Sequence, residues 1–234
     1  MKIVKDQKKI NRYSKIGMYT SLASLILLFG AVALTIIYAS RPEMTAYSFG
    51  AMLLGLILSQ VGVYFSNRWG KSPRVDERIT QGLKGLDDRY VLYHYMTPVP
   101  HLLAGPAGVW VLVPKYQGGE IGYENNKFSQ KGVSFISRVI GQESIGRPDV
   151  EAKSYQEDML RFLKKELPDG NIPEVQTLIV FTSPKASVQA QDAPVPTMHV
   201  DKLKDYIRRM AKEKPVNTNT VQFVQKMLPT EDTV

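Results

Sequence analysis

Between Ile16 and Asn67 the chain carries only two charged side chains, Arg41 and Glu43, and this constrains the fold more than any other feature. The two uncharged stretches, Ile16 to Ser40 and Met44 to Asn67, run 25 and 24 residues. A helix needs about 20 apolar residues to cross the hydrocarbon of a bilayer, so each stretch is long enough to span. Only Arg41, Pro42 and Glu43 separate them. So short a connection predicts a tight helical hairpin with both ends on one side of the membrane. Lys2, Lys5, Lys8, Lys9, Arg12 and Lys15 precede the first span and Arg68, Lys71 and Arg74 follow the second, against a single arginine in the loop. Basic flanks stay in the cytoplasm, which places both termini at the inner face of a plasma membrane. Tyr38 and Tyr47 near one interface and Tyr64 and Trp69 near the other suit amphipathic aromatic belts. A cleavable signal peptide, with Gly30 to Leu34 as its small-residue site, is the competing reading of the first span. Signal cores are shorter, about 7 to 15 residues, and here a second full span follows at once.

Within the spans, Ala31, Thr35 and Ala39 recur at every fourth position, as do Ala51, Gly55 and Ser59. Small residues at that spacing let helix backbones approach. The stripes face one another inside the hairpin or face a second copy of the chain, and the sequence leaves both arrangements open. The net charge of +8 is unevenly spread: residues 1 to 17 hold six basic and one acidic side chain, whereas residues 68 to 234 hold 23 and 20. Most of the basic excess therefore lies outside the larger, C-terminal part. With no cysteine, disulfides and thiolate zinc sites are excluded.

The expected organisation is a basic cytoplasmic leader (1–17), a transmembrane hairpin (18–67, helices about 17–40 and 44–67), a short linker (68–74), an α/β domain (75–213) and a terminal helix with a polar tail (214–234). The α/β domain opens on a helix whose Val75, Ile79, Leu83 and Leu86 share one face, with Asp76 and Glu77 in its first turn, where carboxylates suit the helix dipole. Arg89 to Pro100 alternates cleanly and predicts an edge strand, ended by Pro98 and Pro100. His94 and His101 lack the spacing and company of metal ligands and are expected to be structural. Tyr116 to Gln130 reads as a hairpin turning at Asn125-Asn126, with Glu120 and Glu124 as exposed strand residues. A helix follows, opened by Pro148 and closed by Leu167 to Gly170, with Ala152, Tyr155, Met159, Phe162, Leu163 and Leu167 as its apolar stripe. Val175 to Thr182 is a short apolar run between prolines, hence a buried strand. A short return strand precedes a helix capped by Asp201 that buries Leu203, Ile207 and Met210 and turns Lys202, Lys204, Arg208, Arg209 and Lys212 outward. The last helix is expected from about Thr218 to Leu228.

The centre of this domain is His101 to Lys115, HLLAGPAGVWVLVPK, two apolar strands around the turn Gly105-Pro106-Ala107-Gly108. This run, with the later strand and the APVP segment, resembles the core of the NERD (nuclease-related) domain of bacterial proteins, itself similar to the PD-(D/E)XK nucleases. The resemblance covers about Val75 to Met210. It implies a restriction-endonuclease-like fold, a mixed β-sheet flanked by helices. In the family an aspartate precedes the first strand and a glutamate stands two places before the lysine; here those positions hold Pro100 and Val113, while Lys115 is kept. An early helical glutamate of the family site matches Asp76 by spacing, with Glu77 as the alternative. At the family's Asn-Pro and following Gln stand Arg147, Pro148 and Glu151. Phosphodiester hydrolysis in such a site uses carboxylates to hold Mg²⁺, which activates water and offsets the developing charge. Two readings follow. In the first, the site is degenerate, no cofactor is expected, and the protein binds nucleic acid or a protein partner from its anchor in the lipid bilayer. In the second, Asp76 or Glu77, Glu151 and Lys115 rebuild a Mg²⁺-dependent nuclease.

Overall fold

A computed structural model of the chain describes residues 1–133, 144–166 and 172–228. It divides into two units: Met1–Asp6 join the chain from Val75 onward in one, and Gln7–Arg74 form the other.

The second unit is a pair of helices, α1 (Gln7–Ile37) and α2 (Pro42–Phe65), followed by a π-helical turn at Ser66–Gly70. Both are long and apolar enough to cross a membrane. Their outward residues are bare: Phe29 and Ile36 are each 72% exposed and Tyr47 70%, the reverse of a soluble core helix. Ile10 apart, what the helices do bury is small and recurs every seventh residue: Gly17, Ser24 and Ala31 on α1, Ser48, Gly55 and Gly62 on α2. The expected four-residue stripe on α1 is therefore corrected to a seven-residue period, which keeps Ala31 and leaves Thr35 and Ala39 exposed, while on α2 Ala51 and Ser59 are half-buried on either side of buried Gly55. A seven-residue repeat keeps one seam in register along two long helices, whereas a four-residue stripe drifts round the axis. The seam lies inside the hairpin. A Cβ on Gly62 would come within 2.9 Å of the Ser21 backbone nitrogen, and the Ser24 hydroxyl donates to the Gly55 carbonyl at 2.9 Å.

The first unit is α/β. Its main sheet has six strands in the order β1 (Lys2–Lys5), β2 (Val91–His94), β3 (His101–Gly105), β4 (Gly108–Lys115), β7 (Val175–Phe181), β9 (Thr197–His199). β2, β3 and β4 form an antiparallel meander, β7 runs parallel to β4, and β9 runs parallel to β7. A smaller sheet orders β6 (Lys127–Lys131), β5 (Gly119–Glu124) and β8 (Ala186–Gln189). β4 is buried on both faces, which explains why it reads as a continuous apolar run. Val109, Val111 and Val113 pack on one side with Ala152, Met159 and Leu163 of α4 (Pro148–Glu166). Trp110 and Leu112 pack on the other with Ile79 and Leu83, carried by α3 (Val75–Gly82) and the turn after it, and with Leu203 and Ile207 of α5 (Leu203–Glu213).

Three expectations change. Lys2–Lys5, assigned to a cytoplasmic leader, is a strand: it pairs in parallel with Val91–His94 and buries Val4. The polar, basic composition hid a four-residue edge strand, whose outward lysines are what such edges carry. β2 is consequently an interior strand, with all four residues buried. Finally, Asp201 does not cap α5. The His199 ring accepts from the Asp201 amide, and a 3-10 turn, Val200–Lys202, leads into the helix. The last helix, α6 (Thr218–Met227), adds Val224 to the core, and Gln225 ties it to the carbonyls of Arg89 and Ala104. Leu167 to Gly170, the expected stop of α4, and the polar tail after Leu228 lie outside the described residues.

Candidate functional site

The strand ends that carry Lys115 are set by register. β4 finishes beside β7, with Lys115 opposite Phe181, and β2 finishes where β3 starts, with His94 opposite His101. Because β3 and β4 are antiparallel, the His pair and Lys115 lie at the same end of the sheet.

Side chains alternate along β4, so Val113 and Lys115 share the face covered by α4. Pro148 opens α4 in the first helical turn, which places Glu151 one turn in. The Lys115 ammonium donates to the Glu151 carboxylate, and their side chains are 14% and 27% exposed. Arg147, just before the helix, pairs with Asp149 at 3.1 Å. The hydrogen bond from Arg147 holds the Asp149 carboxyl below the usual carboxylate range.

Asp76 and Glu77 sit in the first turn of α3, on the opposite layer of the sandwich from α4. Asp76 is buried, 3% exposed. One residue beyond Glu77, Arg78 donates to the Thr182 carbonyl at 2.7 Å, while the Thr182 amide donates to the Lys115 carbonyl at 2.7 Å. The start of α3 is thus tied to the strand ends where Lys115 emerges. Of the four candidate residues, Lys115 and Glu151 are brought into contact. Among the described residues no group of three or more His, Asp or Glu side chains is arranged to hold a metal ion.

Neither Pro100 nor Val113 offers a ligand oxygen on its side chain. Val113 is fully buried among apolar neighbours and Pro100 has a saturated ring. Mg²⁺ demands near-octahedral oxygen coordination at about 2.0–2.1 Å and sheds water reluctantly. The Glu151 carboxylate, engaged by the Lys115 ammonium, could supply at most two of those oxygens.

Sequence reasoning weighed the two histidines as metal ligands and missed their contact with each other. His94 Nδ1 and His101 Nδ1 are 2.7 Å apart, and His94 Nε2 lies 2.9 Å from the Thr80 hydroxyl on α3. At that contact one ring donates and the other accepts. Each is 1% exposed, in keeping with structural histidines. The signal was the turn between them: two strands folding back around Thr97 to Pro100 set His94 against His101. A groove of about 870 Å³, also unforeseen, runs between β8, β9 and α5, lined by His199, Lys202, Asp205, Tyr206 and Arg209 among others. It lies between the free edges of the two sheets.

No family model matches the chain, and no curated protein or solved structure matches it.

Proposed function

We propose that this chain is a membrane-anchored NERD-like module at the cytoplasmic face of the inner membrane, with a degenerate nuclease site, that works by binding nucleic acid or a protein partner. The observation that carries the reading is the state of the β4 terminus. The side chain two places before Lys115 is a valine with no exposed surface, and the lysine ammonium is engaged by Glu151. A mixed sheet between helical layers, with HLLAGP and GVWVLVPK as adjacent interior strands, supports the restriction-endonuclease-like assignment. The anchor reading is supported by two bare apolar helices and by connectivity. β1 precedes the hairpin and β2 follows it, yet the two strands pair, which supports a hairpin with both ends on one side of the membrane.

The contact between Glu151 and Lys115 also favours a second reading, an active nuclease rebuilt around Glu151 and Lys115 with Asp76 or Glu77. One experiment separates the two: full-length protein in detergent, labelled single- and double-stranded DNA and RNA, with and without Mg²⁺. The binding module leaves every substrate intact. Mg²⁺-dependent cleavage that Lys115→Ala abolishes would establish the rebuilt nuclease instead.

A further inference from the structure

We infer that the first three turns of α1 form a binding face for anionic phospholipid headgroups, beyond their part in setting topology. The inference rests on the membrane-anchor reading above.

α1 is helical from Gln7, well before its apolar stretch, so the basic residues ahead of the span are ordered on a rigid element. Lys8, Arg12 and Lys15 fall at i, i+4 and i+7 on one face and all are exposed. That face lies opposite the seam of Ile10, Gly17 and Ser24. The same face then turns apolar: Tyr19, Leu22, Ile26 and Phe29 continue the stripe, each more than half exposed. The bare apolar run of α1 from Met18 to Ile37 is about 29 Å long at 1.5 Å per residue. The hydrocarbon core is about 30 Å thick, with roughly 5–8 Å of headgroup region beyond it on each side. With Met18 at the hydrocarbon boundary, Lys15 lies about 4.5 Å outside it, at headgroup depth, Arg12 about 9 Å, at the outer edge of the headgroups, and Lys8 about 15 Å, where it adds to the attraction through the aqueous layer at low salt.

Local carboxylates offset several of the arginines in the other unit. Arg89, Arg147 and Arg161 each hold an aspartate two or three residues away. Lys8, Arg12 and Lys15 have no ion pair among the described residues. From Gln7 to Arg74 the one acidic residue is Glu43, in the loop at the far end of the hairpin. Lys71, also exposed, adds to the same end after α2. An ordered cationic face at headgroup depth without protein counter-ions is complementary to anionic lipid.

The test uses full-length protein in phosphatidylcholine bilayers with trace spin-labelled phosphatidylglycerol or phosphatidylcholine, reading the motionally restricted fraction of each label. The expected result at low salt is a preference of about threefold for the anionic lipid. It should fall close to unity in the Lys8→Gln, Arg12→Gln, Lys15→Gln variant, and likewise in roughly 1 M salt, where the Debye length is about 3 Å. Lys202→Gln with Lys204→Gln should leave it unchanged. Equal restriction of both labels in the unaltered protein, or a preference that survives the triple substitution, would overturn the inference. No restricted lipid of either kind would overturn the anchor itself, a distinct result.

Discussion

Replacing Lys115 by methionine and Glu151 by glutamine, singly and together, measures whether the pair at the end of β4 is a closed unit. The two side chains are 14% and 27% exposed, between a surface pair and a buried one. Surface pairs contribute about 0–1 kcal/mol, while removing one partner of a buried pair costs about 3–5 kcal/mol through the charge left behind. Partial exposure lets each orphan recover some hydration, so each single substitution should cost about 1–3 kcal/mol. The double variant has no orphan, and its cost should fall short of the sum by about 1–2 kcal/mol. The chain has two tryptophans, and Trp110 is buried in the α/β core at 2% exposure. In a Trp69→Phe background its fluorescence follows urea unfolding of that unit alone, with the hairpin held in detergent. Costs that simply add, or singles below about 0.5 kcal/mol, would show that the ammonium and carboxylate do not constrain one another. Lys115 would then remain available to a phosphate.

Three further outcomes are expected. Val113→Glu should destabilise the α/β unit by several kcal/mol in the absence of divalent ions, because an unpaired carboxylate would enter an apolar core. Combined with Pro100→Asp, it should gain about 2.7 kcal/mol at Mg²⁺ a hundredfold above its dissociation constant; no Mg²⁺-dependent shift of the urea midpoint would count against nuclease ancestry. Val4→Ala, though some 70 residues ahead of the rest of its unit, should lower the Trp110 urea transition by about 1–2 kcal/mol, and an unchanged midpoint would remove β1 from the sheet. Gly62→Ala should open the hairpin, since its Cβ would meet the Ser21 backbone at 2.9 and 3.0 Å, whereas Gly50→Ala meets nothing within 4 Å. Spin-label distances between cysteines placed at Met18 and Tyr64 should lengthen for the first and hold for the second.

Where burial dictates residue type, the fold was readable from the sequence. β4 and β7 show as short β-branched runs because both their faces are covered. The turn at Asn125-Asn126 shows because both residues adopt positive φ, 52° and 59°, which asparagine tolerates. β1 was not legible: an edge strand of four residues needs only one buried side chain, Val4, and its lysines look like a topology signal. The helix seam was misread because Ala, Gly, Ser and Thr are common throughout apolar spans, so a four-residue coincidence masks a seven-residue repeat. At the site, the contact of Glu151 with Lys115 could be framed as a question from sequence, since helix phase puts Glu151 one turn from Pro148. Its answer needed the packing of α4 on the valine face of β4. The pairing of His94 with His101 depends on register, which local pattern alone does not supply.

The hairpin is an insertion in a sheet, and that alters what its removal would do. Trimming the chain to begin at Val75, the obvious way to obtain a water-soluble fragment, would delete the strand that covers Val91–His94 as well as the two apolar helices. The exposed rim would be short, apolar and lined with unsatisfied amides, a template for pairing with its own kind. Such a fragment should aggregate or dimerise rim to rim for reasons unrelated to biology. Restoring residues 1 to 6 through a flexible tether, in place of the two apolar helices, would give a monomer in which nucleic-acid or protein binding can be measured without that artefact.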